Sequence, residues 1–334
     1  VLDALVVYAG RIGLRIVLDD HRSRAARPEQ VNNLDEPLWY TRGYPELAWI
    51  RDWETLARRY AGNPTVVGFD LRNEPHTAGP GPWNLHAYLT RGATWGPYRG
   101  AATAARDWRA AAERAGNAVL RIDPHLLVIV EGIQLYPEAG AANGVDVSWW
   151  SGILSPVKQY PVTLRVPHQL VYSVHDWGPT KAPMPWFKHG TYAELRQAWM
   201  KRWAFLLQKP HAAYAAPVLL GEFGTCTDRA ECTTPSAPQD RWFTSLLRFL
   251  RANPALSWSF FALDGTNAND CWADNGLLNG AWNDVASWSL EQELRSAGAA
   301  TVPGVQAGKA DPLIPGTTTL RKPRDPHSRL CLIP

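Results

Sequence analysis

The sequence predicts an α/β fold of the barrel type, a (β/α)8 barrel. Three observations predict it. Short apolar strands alternate with amphipathic helices six times along the 334 residues, which is the pattern of a parallel sheet. The strands are rich in β-branched and aromatic residues, as expected when both faces of the sheet are covered. Neither GxxxxGK[ST] nor a strand-linked GxGxxG occurs, so a nucleotide-binding doubly wound sheet loses ground to a barrel.

The elements follow in order. Leu2, Leu5, Val6, Ala9 and Ile12 recur at helical spacing, and Gly13 ends the pattern. Residues 15–18 read as a strand tipped by Asp19, Asp20 and His21. A long polar segment carrying Trp39 and Tyr40 reads as a loop over the strand tips. Trp49, Ile50, Trp53, Leu56, Ala57 and Tyr60 mark a helix that stops at Gly62-Asn63-Pro64. Residues 66–71 form a buried strand that ends at Asn73-Glu74-Pro75. Residues 77–100, rich in Gly, Pro and aromatics, read as a long loop. A helix is expected over 104–121, with Trp108, Ala112, Ala115 and Val119 inward. Strand 126–130 is tipped by Glu131-Gly132. A loop with Trp149 and Trp150 leads to strand 170–174, tipped by His175-Asp176-Trp177. Tyr192, Leu195, Trp199, Trp203 and Leu206 share one helix face. Strand 217–222 ends at Glu222, and Trp242, Leu246, Phe249 and Leu250 mark the helix after it. A strand over 258–263 and a helix over 285–295 complete the pattern. Residues 301–334 lack periodicity and read as a linker or disordered tail.

Composition narrows the function. An apolar fraction of 46% supports a sizeable core. A net charge of +3 gives no sign of a nucleic-acid or membrane partner, and no apolar run reaches the length of a membrane span. Tryptophan is in surplus, with 17 copies. Some must be core, such as Trp49 and Trp53. Flat rings also cover the apolar faces of sugars, and Trp39, Tyr40, Trp83, Trp95, Trp149, Trp150 and Trp177 stand in loop-like sequence. The four cysteines, Cys226, Cys232, Cys271 and Cys331, form no zinc-like spacing. A disulfide between Cys226 and Cys232 fits, among three full pairings, and it favours an oxidising, secreted setting.

Chemistry at a barrel belongs to the carboxyl ends of the strands. Two carboxylates stand there in this sequence, Glu74 after one strand and Glu222 at the end of another. A pair of carboxylates flanking one bond is the apparatus of a glycosidase.

The motifs IVLDDHR (16–22), LWYTR (38–42), GNPTVVGFDLRNEPH (62–76), RAGNAVLRIDP (114–124), LLVIVEG (126–132), LVYSVHDW (170–177) and VLLGEFGT (218–225) resemble those of glycoside hydrolase family 5. The resemblance runs from Val1 to about residue 295 and is greatest with bacterial endo-β-1,4-glucanases. It implies a secreted, monomeric retaining hydrolase of internal β-1,4-glucan bonds, without metal or cofactor. By the resemblance Glu74 is the general acid/base and Glu222 the nucleophile. Glu74 must be protonated when substrate binds; Glu222 must stay ionised, with donors or cations around it. Asn73 holds the sugar 2-hydroxyl, and His21 and His175 line the cleavage subsite. Trp39, Trp177 and Phe261 complete the substrate-binding set, whereas His76 and His168 are structural.

Two positions depart from the family pattern. Trp177 stands where a tyrosine usually bonds the nucleophile, and Phe261 stands where a tryptophan platform is usual. These departures keep β-mannanase and other family 5 specificities open. A sugar-binding relic without catalysis and a phosphate-binding barrel enzyme are the alternatives of other classes. A full barrel needs about 30 residues for each of its units. With six strands and a helix at its start, the chain is expected to lack the first two βα units. Residues 1–300 would then be a partial barrel, running from the third strand to the eighth helix. Such a chain is expected to be poorly soluble and weakly active, and to lack the arginine that the family places beside the nucleophile.

Overall fold

The computed structural model describes residues 1–23, 36–79, 81, 83–98, 100–181, 184–208, 211–225, 238–263, 276–279 and 281–298. They fall into two compact units. The first comprises residues 1–223 and 255–259, and the second residues 224–254 and 260 onward. Cys226, Cys232, Cys271, Cys331 and the 301–334 segment lie outside the described residues.

The first unit is built on a six-stranded parallel sheet. Its strands are β1 (Ile16–Asp19), β2 (Val66–Asp70), β3 (Leu127–Glu131), β6 (Leu170–His175), β7 (Val218–Glu222) and β8 (Ser257–Trp258), in that spatial order. Between β3 and β6 lies an antiparallel hairpin, β4 (Leu135–Pro137) and β5 (Val145–Val147). The helices of this unit are α1 (Leu2–Arg11), α2 (Glu46–Tyr60), α3 (Leu85–Thr90), α4 (Ala101–Ala104), α5 (Trp108–Leu120) and α6 (Tyr192–Arg202). Among the described residues no helix is long and apolar enough to cross a membrane.

Register brings the polar strand tips into one row. Asp19 pairs with Asp70, Glu131 with Ser173, and His175 with Glu222. The last pairing depends on a register shift after Val174 that skips Gly221. A Cβ on Gly221 would stand 2.6 Å from Ser173 Oγ and 3.2 Å from His175 Nε2. Only glycine allows so close an approach of backbone to the imidazole.

Tryptophans fasten the strand ends from behind. The indoles of Trp49 and Trp53, one helical turn apart on the buried face of α2, both donate to the Leu71 carbonyl, at 3.0 and 3.1 Å. Trp108 at the start of α5 donates to the Glu131 carbonyl at 2.8 Å. Carbonyls that have run out of ladder partners are thereby satisfied inside the core. The apolar faces read from sequence thus also fix where β2 and β3 stop.

The structure corrects several expected elements. Residues 77–100 contain a helix, α3, because the Asn84 side chain caps it by accepting from Ala87 N–H at 3.0 Å. The helix expected over 104–121 begins at Trp108, where Asp107 is the N-cap, and α4 precedes it as a separate turn. The loop before β6 holds the β4–β5 hairpin. The strand expected over 258–263 is only Ser257–Trp258, since the chain passes to the second unit after Ser259. On α1 only Val6 and Ala9 are buried, while Leu2, Leu5 and Ile12 are exposed.

The second unit contains helices Pro238–Ala252 and Trp288–Gly298, which pack on each other. Arg251 reaches Ser296 at 2.5 Å. The last helix starts three residues later than its apolar pattern suggests, with the Ser287 hydroxyl accepting from Leu290 N–H.

Candidate active site

Glu74 follows the end of β2 in an uncommon conformation. Its φ is +48°, in the left-handed region, which is costly for a residue with a Cβ. Its N–H donates to Oε2 of Glu131 at 2.8 Å, and its carbonyl lies 2.6 Å from Nδ1 of His76. Those contacts hold the carboxylate facing the tips of β6 and β7.

His175 stands between the two glutamates. Its Nδ1 lies 2.8 Å from Oε1 of Glu74 and 3.4 Å from Oε2 of Glu222. Its Nε2 lies 3.3 Å from Oε1 of Glu131. One atom from each of Glu74, His175 and Glu222 lies within 4.8 Å of the other two. That spacing suits glycosidases whose carboxyl groups stand about 5 Å apart, rather than those that leave room for an intervening water.

Electrostatics follows from burial. His175 is buried, which disfavours its cation, but Glu131 and Glu222 outweigh this and raise its pKa well above the ordinary value. Burial also pushes Asp70, beneath the site, well above the carboxylate range, with the Glu131 charge adding to the rise. Glu222 has the expected cations, His175 and His21, around it, but burial opposes its charge. Its pKa is pushed up to about 8 by burial, against the pull of His175, and the Glu74 charge adds to the rise. His21 pulls Glu222 the same way as His175, but more weakly.

The model of the cellulase family, glycosyl hydrolase family 5, matches residues 1–267. The chain belongs to glycosyl hydrolase family 5. Among relatives, an endoglucanase of Paenibacillus polymyxa is 36% identical over 283 residues, covering 84% of this chain and 60% of that protein. The major extracellular endoglucanase of Xanthomonas campestris is 30% identical and covers 85% of this chain and 50% of its own length. The chain therefore spans only half to three-fifths of these two relatives. Among solved structures, a hyperthermophilic endocellulase from Pyrococcus horikoshii superposes with a TM-score of 0.72 at 30% identity, covering 89% of this chain and 73% of that one.

Within this family 5 chain the remaining expected residues divide. His21 sits at the tip of β1 with its Nδ1 2.7 Å from Asp19. Burial lowers its pKa, but Asp19, Glu222 and Glu74 outweigh that and raise it to about 8. Asn73 lies beside Glu74, its N–H on the Asp20 carbonyl at 3.1 Å. Trp177 is buried and meets Trp149 edge to face. Phe261 belongs to the second unit.

Trp39 is a correction. It has no exposed surface, it packs among Tyr40, Trp49 and Trp108, and its indole donates to Glu46 at 2.8 Å. A ring enclosed on all sides presents no face to a sugar, so Trp39 is core. Trp95 is likewise fully buried. Trp149 is half-buried and donates to Oε1 of Glu74 at 3.1 Å, and Trp150 stacks on His76 at 3.9 Å.

Glu131 and Asp70 were not among the residues expected from sequence. Both end apolar strands of the same sheet, and that placement was the available signal.

Proposed function

We propose that this chain carries the catalytic apparatus of a retaining endo-β-1,4-glucanase. The observation that supports the reading most is the placement of Glu74 and Glu222 within 4.8 Å, with His175 between them. Glu74 protonates the glycosidic oxygen while Glu222 attacks the anomeric carbon and forms a glycosyl-enzyme. Glu74 then takes a proton from the water that releases the sugar. Asn73 is the hydrogen-bond partner of the 2-hydroxyl, His21 lines the cleavage subsite, and Trp177 adds a substrate contact.

The substrate is β-1,4-glucan or its oligosaccharides. Relatives named endoglucanase and solved endocellulases support this, as does the complex of the Pyrococcus horikoshii endocellulase with cellotetraose. An extracellular location fits the relative named a major extracellular endoglucanase, and the net charge of +3 gives no reason to invoke a nucleic-acid partner for an enzyme that we take to act as a monomer.

The test is hydrolysis of carboxymethylcellulose, mixed-linkage glucan and mannan, with proton NMR of the first product. Glucans should be cleaved and mannan spared, and the product should appear first as the β anomer. Cleavage of mannan alone, or an initial α anomer, would overturn the reading.

A further inference from the structure

Glu131 is almost completely buried, with 1% of its surface exposed, and it has no part in the two-carboxylate scheme. Both of its carboxylate oxygens are nevertheless committed to the site. One accepts the N–H of Glu74 at 2.8 Å, and the other lies 3.3 Å from Nε2 of His175. Its own carbonyl is held by the Trp108 indole at 2.8 Å. After it comes Gly132, where an added Cβ would collide with the Ser151 carbonyl. The carboxylate is thus fixed by its backbone on both sides.

We propose that Glu131 is a positioning residue for the reaction: it ties the backbone of Glu74 and the far nitrogen of His175 into one buried unit, so that Nδ1 of His175 faces both reacting carboxylates. The proposal rests on the reading of Glu74 and Glu222 given above. Two physical consequences follow. The Glu74 N–H that the left-handed φ points inward would be an unpaired buried donor without Glu131. His175 would lose the anion behind it, and a buried imidazole without a counter-charge gives up its proton.

The charges around His175 set the sign. Glu74 and Asp70 face it from the β2 side, Glu131 from β3 and Glu222 from β7, with Asp19 and His21 at the tip of β1 beyond them. Burial opposes charge on Glu131, yet the His175 cation and the two hydrogen bonds outweigh it and hold Glu131 below the ordinary carboxylate range. Glu131 and His175 therefore form an anion–cation pair. Removing the anion lowers the pKa of His175, and a neutral His175 no longer helps Glu222 to ionise.

Glu131→Gln separates these effects, because its amide oxygen still accepts from Glu74 while the charge is gone. Imidazole 15N NMR of His175 should show a titration midpoint well above the ordinary 6.5 in the parent protein. In E131Q the midpoint should fall by about two pH units or more. The acid limb of kcat/KM should move upward by about one unit, with KM little changed. Glu131→Asp keeps the charge and should leave the His175 midpoint near the parent value, and it serves the same comparison if E131Q does not fold. A role in packing alone would lower the melting temperature and leave the His175 titration where it was. An unchanged His175 midpoint in E131Q, or a loss of protonation in E131D as large as that expected for E131Q, would overturn the proposal. The NMR readout does not depend on turnover. A parent protein inactive on every glucan would sink the functional reading while leaving the Glu131–His175 coupling to be judged by itself.

Discussion

The indole N–H of Trp149 donates to Oε1 of Glu74 at 3.1 Å, the same oxygen that lies 2.8 Å from His175 Nδ1. One carboxylate oxygen is therefore held from two sides, and the other is left for the substrate. Trp149 also touches the rings of Trp150 and Trp177, so the contact belongs to a packed aromatic group rather than to a loose loop. Replacing Trp149 by Phe keeps the packing and deletes the donor. A hydrogen bond to the neutral acid contributes about 0.5–1.5 kcal/mol, so kcat on cellooligosaccharides should fall about two- to tenfold. Dinitrophenyl cellobioside, whose leaving group needs little proton donation, should lose less. Equal losses on the two substrates would show that Trp149 does not orient the acid.

The nucleophile assignment makes a sharper claim. Glu222 ends β7 directly opposite His175. Glu222→Gln preserves shape and removes the attacking oxygen anion. Turnover should fall by on the order of ten-thousand-fold or more, with the melting temperature kept or raised, because a buried carboxyl that resists ionisation is replaced by a neutral amide. A variant that keeps a tenth of parent activity would remove Glu222 from that role.

Glu74 is tested by chemical rescue. Glu74→Ala should cripple hydrolysis of cellooligosaccharides far more than that of dinitrophenyl glycosides, since only the former need an acid. Azide, which needs no general base, should accelerate the second step and yield a β-glycosyl azide. The absence of that product, together with equal losses on both substrates, would place the acid/base elsewhere.

The main outline of this fold and site was legible because the signals were local. Period and strand tips mark β2, β7, Glu74 and Glu222 within a few residues of sequence. What escaped depends on contacts between distant positions. Trp39 and Trp149 look alike in sequence, as tryptophans in polar loop-like stretches. One is enclosed by Trp49, Trp108 and Glu46, whereas the other reaches Glu74. Glu131 ends its strand as Glu222 does, and its importance appears only when Glu74 and His175 are brought to it from 57 residues before and from β6. Helix α1 shows the converse. Its apolar spacing is genuine, but Leu2, Leu5 and Ile12 remain exposed, because periodicity reports which face is apolar and not whether a neighbour covers it.

The last prediction concerns stability and pH. His21 is paired with Asp19 at 2.7 Å, and its folded pKa, about 8, exceeds the ordinary 6.5. A histidine raised in this way contributes stability that is fully present below the unfolded value and lost as pH rises through the folded one. Glu222 acts in the same direction by another route. Burial raises its pKa from 4.5 to about 8, so the fold retains a proton that the unfolded chain has released. Asp20 repeats this lower on the scale, raised from 3.8 to about 6 by burial against the Arg72 charge. Glu131 opposes the trend, since its lowered pKa adds stability above the ordinary carboxylate range. Between about pH 6 and pH 9, however, Glu131 is already ionised in both states and contributes no further slope. The melting temperature of the substrate-free protein should therefore fall steadily from about pH 6 to about pH 9. His21→Gln should flatten the upper part of that fall. Since 46% of the His21 side chain is exposed, added salt should weaken its share, while the share from buried Glu222 should persist and disappear only in E222Q. A melting temperature that is level or rises over this range would show that these groups are not held in the proton-retaining environment described.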